Sequence, residues 1–134
     1  MLSAVGADAA KLAQEEAVKS GPVPYTILRA TELFEQIADV STLRLPAALI
    51  QPVAAEDVAS TLADLATGSP LNDTVELAGP EAFRLDELVR RVFEATRDPR
   101  QVTTVAAMNG QSRIPGDDAR IASTHFEDWL SRSS

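Results

Sequence analysis

Short β-rich runs alternate along this chain with segments of helical period. Leu2 to Asp8 (LSAVGAD) reads as a short buried strand ending in a turn. Ala9 to Ser20 (AAKLAQEEAVKS) follows at once as a run of helix formers, in which Ala10, Ala13, Ala17 and Leu12 share a narrow, flat apolar face. Gly21 and Pro22 stop that helix in the expected order. Val23 to Ala30 (VPYTILRA) is β-rich and bounded by turn residues, which suits a buried parallel strand. Thr31 to Asp39 is predicted as a short helix with Leu33, Phe34 and Ile37 inward. Leu43 to Leu45 predicts a short strand closed by Pro46, and Leu49 to Ala54 an extended piece that Pro52 confines to an edge or a strand end.

The second half has stronger periodicity. Glu56 to Thr67 repeats Val58, Leu62, Leu65 and Ala66 at helical spacing and stops at Gly68. Thr74 to Ala78 is a short strand before Gly79-Pro80. Leu85 to Thr96 carries one apolar stripe, Leu85, Leu88, Val89, Val92 and Phe93, with Arg90, Arg91 and Glu94 outside it. Val102 to Val105 reads as a strand and Ala107 to Ala119 as a loop. A last helix begins near Thr124, where Thr124 and Glu127 match a capping box and Phe126, Trp129 and Leu130 face inward. Strands alternating with helices predict an α/β class with a mostly parallel sheet and flanking helices. No linker divides residues 1–134, so a single domain is expected. Its small sheet would leave one edge open to pairing with another chain, and a homo-oligomer through that edge is one expectation.

Composition narrows the partners. The 134 residues carry a net charge of -8 and only two lysines, Lys11 and Lys19, which disfavours nucleic acid and anionic membrane. The absence of cysteine excludes disulfides, zinc-thiolate sites and thiol nucleophiles. No metal site is expected, since there is one His and no ligand-spaced acidic cluster. A basic region followed by an apolar stretch is missing at the N-terminus, and no apolar run nears a membrane span; the cytoplasm is the expected location. With aromatics at 4%, the core must be built mainly from Ala, Val, Leu and Ile. Neither a glycine-rich phosphate cradle nor a G-x-S-x-G elbow occurs.

Five stretches together resemble the C-terminal half of the NmrA-like, atypical short-chain dehydrogenases. They are LSAVGAD at 2–8, AKLAQEEAVKSGPVPYTILRATELFE at 10–35, LIQPVAAEDVASTLADLA at 49–66, NDTVELAGPEAFRLDELVRR at 72–91 and FEDWL at 126–130. The resemblance implies a partial Rossmann-like fold, an NADP or NAD cofactor, and a pocket for a small-molecule substrate built by this part of the chain. It also implies that the glycine-rich half of the fold is missing, so that the chain is a fragment or a reduced relative.

The chain departs from the family at its chemistry. Family members that oxidise or reduce carbonyls use Tyr-x-x-x-Lys, in which the lysine lowers the tyrosine pKa and holds the ribose. Lys11 matches that lysine, but Ala7 stands where the tyrosine belongs, and the only tyrosine is Tyr25. The segments after Val5, Val40 and Val105 are shortened relative to the family.

The resemblance makes Lys11, Arg29 and Thr31 the cofactor-binding candidates and Phe34 and Gln51 the substrate-side ones. Each has a plainer reading. Lys11 suits a solvated helix lysine near Glu15, Thr31 a helix N-cap, Phe34 a core residue and Gln51 a surface polar residue. Glu56 and Asp57 read as first-turn acids favoured by the helix dipole, and His125 as structural. Three functions follow as expectations: an oxidoreductase- or epimerase-derived NAD(P)-binding protein with impaired catalysis, a non-catalytic redox-sensing or interaction module, or a remnant without activity of its own.

Overall fold

A computed structural model describes residues 1–5, 9–106 and 114–133. In chain order it contains β1 (Leu2–Ala4), α1 (Ala9–Ser20), β2 (Thr26–Ala30), α2 (Phe34–Ala38), β3 (Arg44–Pro46) and β4 (Leu49–Ile50). There follow α3 (Ala55–Thr67), β5 (Asp73–Ala78), β6 (Phe83–Arg84), α4 (Leu85–Ala95), β7 (Thr103–Val105), β8 (Arg120–Ile121) and α5 (Phe126–Ser133). The main sheet runs β1-β2-β5-β8 with every pair parallel. β3 pairs with β7 in parallel, and β4 with β6 antiparallel. The class is α/β with a mostly parallel sheet, as the alternation of elements requires.

The two faces of the main sheet differ because side chains alternate along each strand. On one face Leu28, Ala30 and Leu77 meet Val53 and Val58, with Leu62 and Leu65 of α3 against them. The other face carries a polar row. Ser3, Arg29 and Glu76 stand side by side in register on β1, β2 and β5. α1 lies over that row and its one buried residue is Glu15. The expected apolar face of α1 is therefore turned outward: Ala10, Leu12, Ala13 and Ala17 are exposed. Electrostatics decides the orientation. Burying an alanine methyl gains about 0.8 kcal/mol, whereas Arg29 under the helix needs a carboxylate opposite it.

A second apolar cluster surrounds α4. Leu88, Val89, Val92 and Phe93 pack with Phe34, Ile37, Leu45, Ile50, Phe126 and Trp129. Phe34 sits edge-on to Phe126, ring centroids 5.5 Å apart, and 5.4 Å from Trp129. Among buried charged side chains, Asp86 at the start of α4 is wholly enclosed. It accepts hydrogen bonds from Arg84 (2.9 Å), Arg90 (3.1 Å) and Thr104 (2.6 Å), which tie α4 to β7.

Several boundaries differ from the sequence expectation. Thr31 does not begin a helix: α2 starts at Phe34 with Leu33 as its N-cap. Thr31 to Leu33 stay extended because their backbone bonds sideways, Thr31 N–H to the Leu77 carbonyl and Val53 N–H to the Glu32 carbonyl. β2 is shorter than Val23–Ala30, since Pro24 has no N–H to pair. The Thr124–Glu127 capping box is replaced by tertiary contacts. Thr124 N–H donates to Asp57 at 3.2 Å, its hydroxyl lies 3.5 Å from Glu56, and Phe126 N–H donates to Glu81 at 3.3 Å. β8 extends the sheet just beyond the expected loop. Gly6 to Asp8 and residues 107–113 of that loop lie outside the described residues. Among the described residues no helix is long and apolar enough to cross a membrane.

Candidate functional site

Parallel sheets bind ligands beyond the C-terminal ends of their strands. At that end β2 runs into Thr31 and β5 into Gly79, and the Gln51 segment crosses between them. The Thr31 hydroxyl donates to the Gln51 carbonyl at 2.6 Å. Gly79 N–H donates to the same carbonyl at 3.2 Å, and the Gln51 side-chain amide returns a bond to the Gly79 carbonyl at 2.9 Å. Thr31 is buried and Gln51 half-buried. Thr31 is thus neither a helix cap nor an idle hydroxyl; with Gln51 it closes the sheet tip. Its oxygen retains acceptor capacity after giving up the proton.

Lys11 occupies the third position of α1, which runs back from the C-terminal end of β1 to the N-terminal end of β2. It therefore stands at the same end of the sheet as Thr31. Arg29 points to the polar face instead of the tip. Its guanidinium holds Glu15 through Nε, 3.0 Å from Oε2, and through Nη2, while Ser3 donates to Glu15 at 2.6 Å. Hydrogen bonding from Arg29 lowers the Glu15 pKa below its ordinary value; burial opposes this and Ser3 adds to it. Glu15 is accordingly an enclosed anion rather than a solvated partner for Lys11. Phe34 belongs to the aromatic cluster and is 1% exposed, so it contributes to the core.

Two cavities frame this end and its opposite. One, of about 240 Å³, lies beyond β2 between α2, β3, β4 and the start of α4. Glu32 and Gln36 supply polar atoms to its wall, and Ile37, Leu45, Ile50 and Leu85 supply apolar ones. Its residues flank the candidates read from the sequence: Glu32 follows Thr31 and Ile50 precedes Gln51. A larger cavity of about 590 Å³ lies at the other end of the strands, with Tyr25, Val18 and Leu65 in its wall. Tyr25 precedes β2 and Thr31 follows it, so the tyrosine lies at the opposite end of the strand from the tip.

Other chemistry-bearing residues serve the architecture. Glu56 pairs with Arg132 at 2.6 Å and Asp57 holds Thr124, which fixes α5. His125 lies 3.3 Å from Glu81. Among the described residues no group of three or more His, Cys, Asp or Glu could hold a metal ion. Sequence reasoning missed Glu15, Glu32 and Gly79. A polar residue facing inward from an alanine-rich helix was the one readable sign of Glu15, and it requires knowing which face is buried.

No family model matches the chain, and no curated protein matches it. Solved structures share its fold. The dTDP-glucose 4,6-dehydratase DesIV of Streptomyces venezuelae, solved with NAD and TYD bound, has a TM-score of 0.69 at 18% identity, over 92% of this chain and 48% of that one. The Bordetella bronchiseptica enzyme WbmG, solved with NAD and UDP, has 0.64 at 14%, over 91% and 47%. A UDP-glucose 4-epimerase from Thermotoga maritima, solved with UDP-glucose, has 0.62 at 14%, over 90% and 49%. The chain spans about half the length of the solved structures it matches. What it shares with them is the fold, a Rossmann-like α/β arrangement.

Proposed function

We propose that the chain is an NmrA-like, short-chain-dehydrogenase-related protein that binds the nicotinamide end of NAD(P) and a small substrate beyond β2 and β5, without turnover of its own. One observation carries this reading. Thr31 and the Gln51–Gly79 pair meet at the C-terminal end of a parallel sheet, the end at which α1 begins with Lys11 in its first turn, and solved structures of this fold include NAD complexes.

The residues fit one end of the cofactor and not the other. On this reading Lys11 would hold the ribose and the Thr31 oxygen would accept from the carboxamide. A pyrophosphate needs unopposed N–H groups at a helix start. Here α3 opens with Glu56 and Asp57, α4 with Asp86 and Glu87, and α5 with Glu127 and Asp128, which disfavour phosphate at those starts, whereas α1 has no acid in its first turn. The sequence has no glycine-rich cradle, so on this reading the phosphate grip would be supplied from outside the described residues. Bound NAD(P) supplies a hydride donor or acceptor. This chain's part is to orient the nicotinamide ring and exclude water around it.

The lack of turnover is supported by Ala7 in place of the tyrosine and by Tyr25 at the opposite end of β2. Shortening of the loops after Val5, Val40 and Val105 fits the same reading, since loops of this end carry substrate contacts. Binding without turnover is also what a redox-sensing module requires.

The test separates the halves of the cofactor. Thermal melts are recorded with nicotinamide mononucleotide, AMP and NADPH at millimolar concentration. A ligand at one hundred times its Kd stabilises by about 2.7 kcal/mol. The expected result is an upward shift with the nicotinamide nucleotide, none with AMP, and loss of the shift in Lys11→Ala. A shift with AMP alone, or none with the nicotinamide nucleotide, overturns the reading.

A further inference from the structure

Along α1 the side chains that are not exposed are Lys11, Glu15, Val18 and Lys19. At about 3.6 residues per turn they fall on one side of the helix, the side turned to the sheet. Val18 is the apolar one among them. N-terminal to it, the inward side chains are Lys11 and Glu15, and no apolar anchor is present. Apolar burial is non-directional and would fix the roll of such a helix only loosely. The Glu15 carboxylate fixes it closely. Arg29 Nε donates to one of its oxygens at 3.0 Å, Arg29 Nη2 donates to the other, and the Ser3 hydroxyl donates at 2.6 Å. Two N–H groups of a planar guanidinium set direction as well as distance. Ser3 and Arg29 are themselves in register on β1 and β2, so both donors belong to the sheet. Lys11 precedes Glu15 by four residues. It therefore lies on the same face, about 6 Å nearer the C-terminal end of the sheet.

We infer that Glu15 is a positioning residue: held by Arg29 and Ser3, it sets the roll of α1 and so keeps Lys11 turned to the C-terminal end of the sheet. The inference rests on the reading of Lys11 as the ribose contact, and it gives that contact the device that aims it. A roll of α1 by one residue, about 100°, would swing Lys11 off the sheet.

The experiment exploits the two lysines of the chain, Lys11 and Lys19. In a Lys19→Arg background Lys11 is the only side-chain amine, and reductive methylation with isotope-labelled formaldehyde marks it while keeping its charge. Relaxation of the label reports how firmly Lys11 is held. Titration of the unlabelled protein with nicotinamide mononucleotide reports the site. The deciding variant is Glu15→Met with Arg29→Met, which removes the fork and leaves no unpaired charge, so the fold should survive. If the pair were merely structural, the methionines would replace it without further effect. The expected result is a Lys11 label that moves more freely and nucleotide binding about tenfold weaker, the size of one hydrogen bond to a charged group. Ser3→Ala takes one bond from Glu15, leaves the ion pair, and should give a smaller change in the same direction. Where the double variant fails to fold, Ser3→Ala decides, and an unchanged label there overturns the inference. In the double variant an unchanged label overturns it too, whether or not the affinity falls. A freer label with unchanged affinity sinks the ribose contact alone. If the Lys19→Arg parent does not bind the nucleotide, the cofactor reading falls and the label alone decides the positioning.

Discussion

Gly79 lies so close to the Pro52 peptide that a Cβ built on it would stand 1.7 Å from the Pro52 carbonyl oxygen. The obstacle is backbone, so no rotamer change relieves it. The close approach is what lets Gly79 exchange two hydrogen bonds with Gln51. Gly79→Ala is expected to lose at least about 3 kcal/mol, the upper end of the usual cost of overpacking. Urea denaturation of the variant measures the loss, and a stability within experimental error of wild type would contradict the geometry.

Glu15 and Arg29 join α1 to the sheet. Glu15→Ala strands a guanidinium that is 29% exposed, so the cost should be about 2–3 kcal/mol, below the about 3–5 kcal/mol of a fully enclosed pair. Replacing both residues with methionine should cost less than the single change, because no unpaired charge remains. Equal losses in the two variants would mean that the pair is not what holds α1.

Acid should weaken the fold through the same groups. The Glu15 pKa is lowered by Arg29. At Asp86 burial alone would raise the pKa, but hydrogen bonds from Thr104, Arg84 and the Glu87 backbone outweigh it and the result is lowered. A carboxylate with a lowered folded pKa contributes stability that is present above its unfolded value and lost as pH falls through the folded one. Stability from these two groups should therefore hold down to the ordinary carboxylate range near pH 4 and decline below it. Glu15→Gln with Asp86→Asn should flatten that decline; an unchanged slope would assign it to other groups.

Trp129 is the only tryptophan, and its indole N–H donates to Glu35 at 3.0 Å. Its fluorescence therefore reports the docking of α5. Phe126→Ala removes a fully buried ring between Phe34 and Phe83 and should cost about 3–5 kcal/mol, with the emission moving to the red at lower denaturant.

The outward face of α1 yields a contrasting expectation. Ala13→Glu should change stability by no more than about 0.5 kcal/mol, as for an ordinary surface site. A loss of several times that size would mean that the alanines are packed.

Much of the architecture was legible from local pattern. The stripe of Leu85 to Thr96 placed α4 and its buried face, and Val58, Leu62 and Leu65 placed α3, because an amphipathic period encodes both helix and burial. The orientation of α1 was not legible. Its alanines are weakly apolar, and the deciding partner, Arg29, is fourteen residues away from Glu15. The pairings of β3 with β7 and of β4 with β6 were hidden for a related reason: strands of two or three residues carry no period, and their partners are distant in sequence. At the site, the sequence reading reached Thr31 and Gln51 but not their bond. It passed over Glu32, whose place in a cavity wall depends on four elements converging.

The two apolar clusters, one around α4 and one between α3 and the main sheet, adjoin where polar bonds link Thr31, Gln51 and Gly79. Cooperativity in a small fold travels through contiguous packing, and cooperative opening units often follow supersecondary motifs. The chain is thus built as two potential unfolding units sharing a polar hinge. Amide exchange should fall into two classes divided at that hinge, and an occupant of the β2–β5 tip, touching both sides, would slow the two classes together.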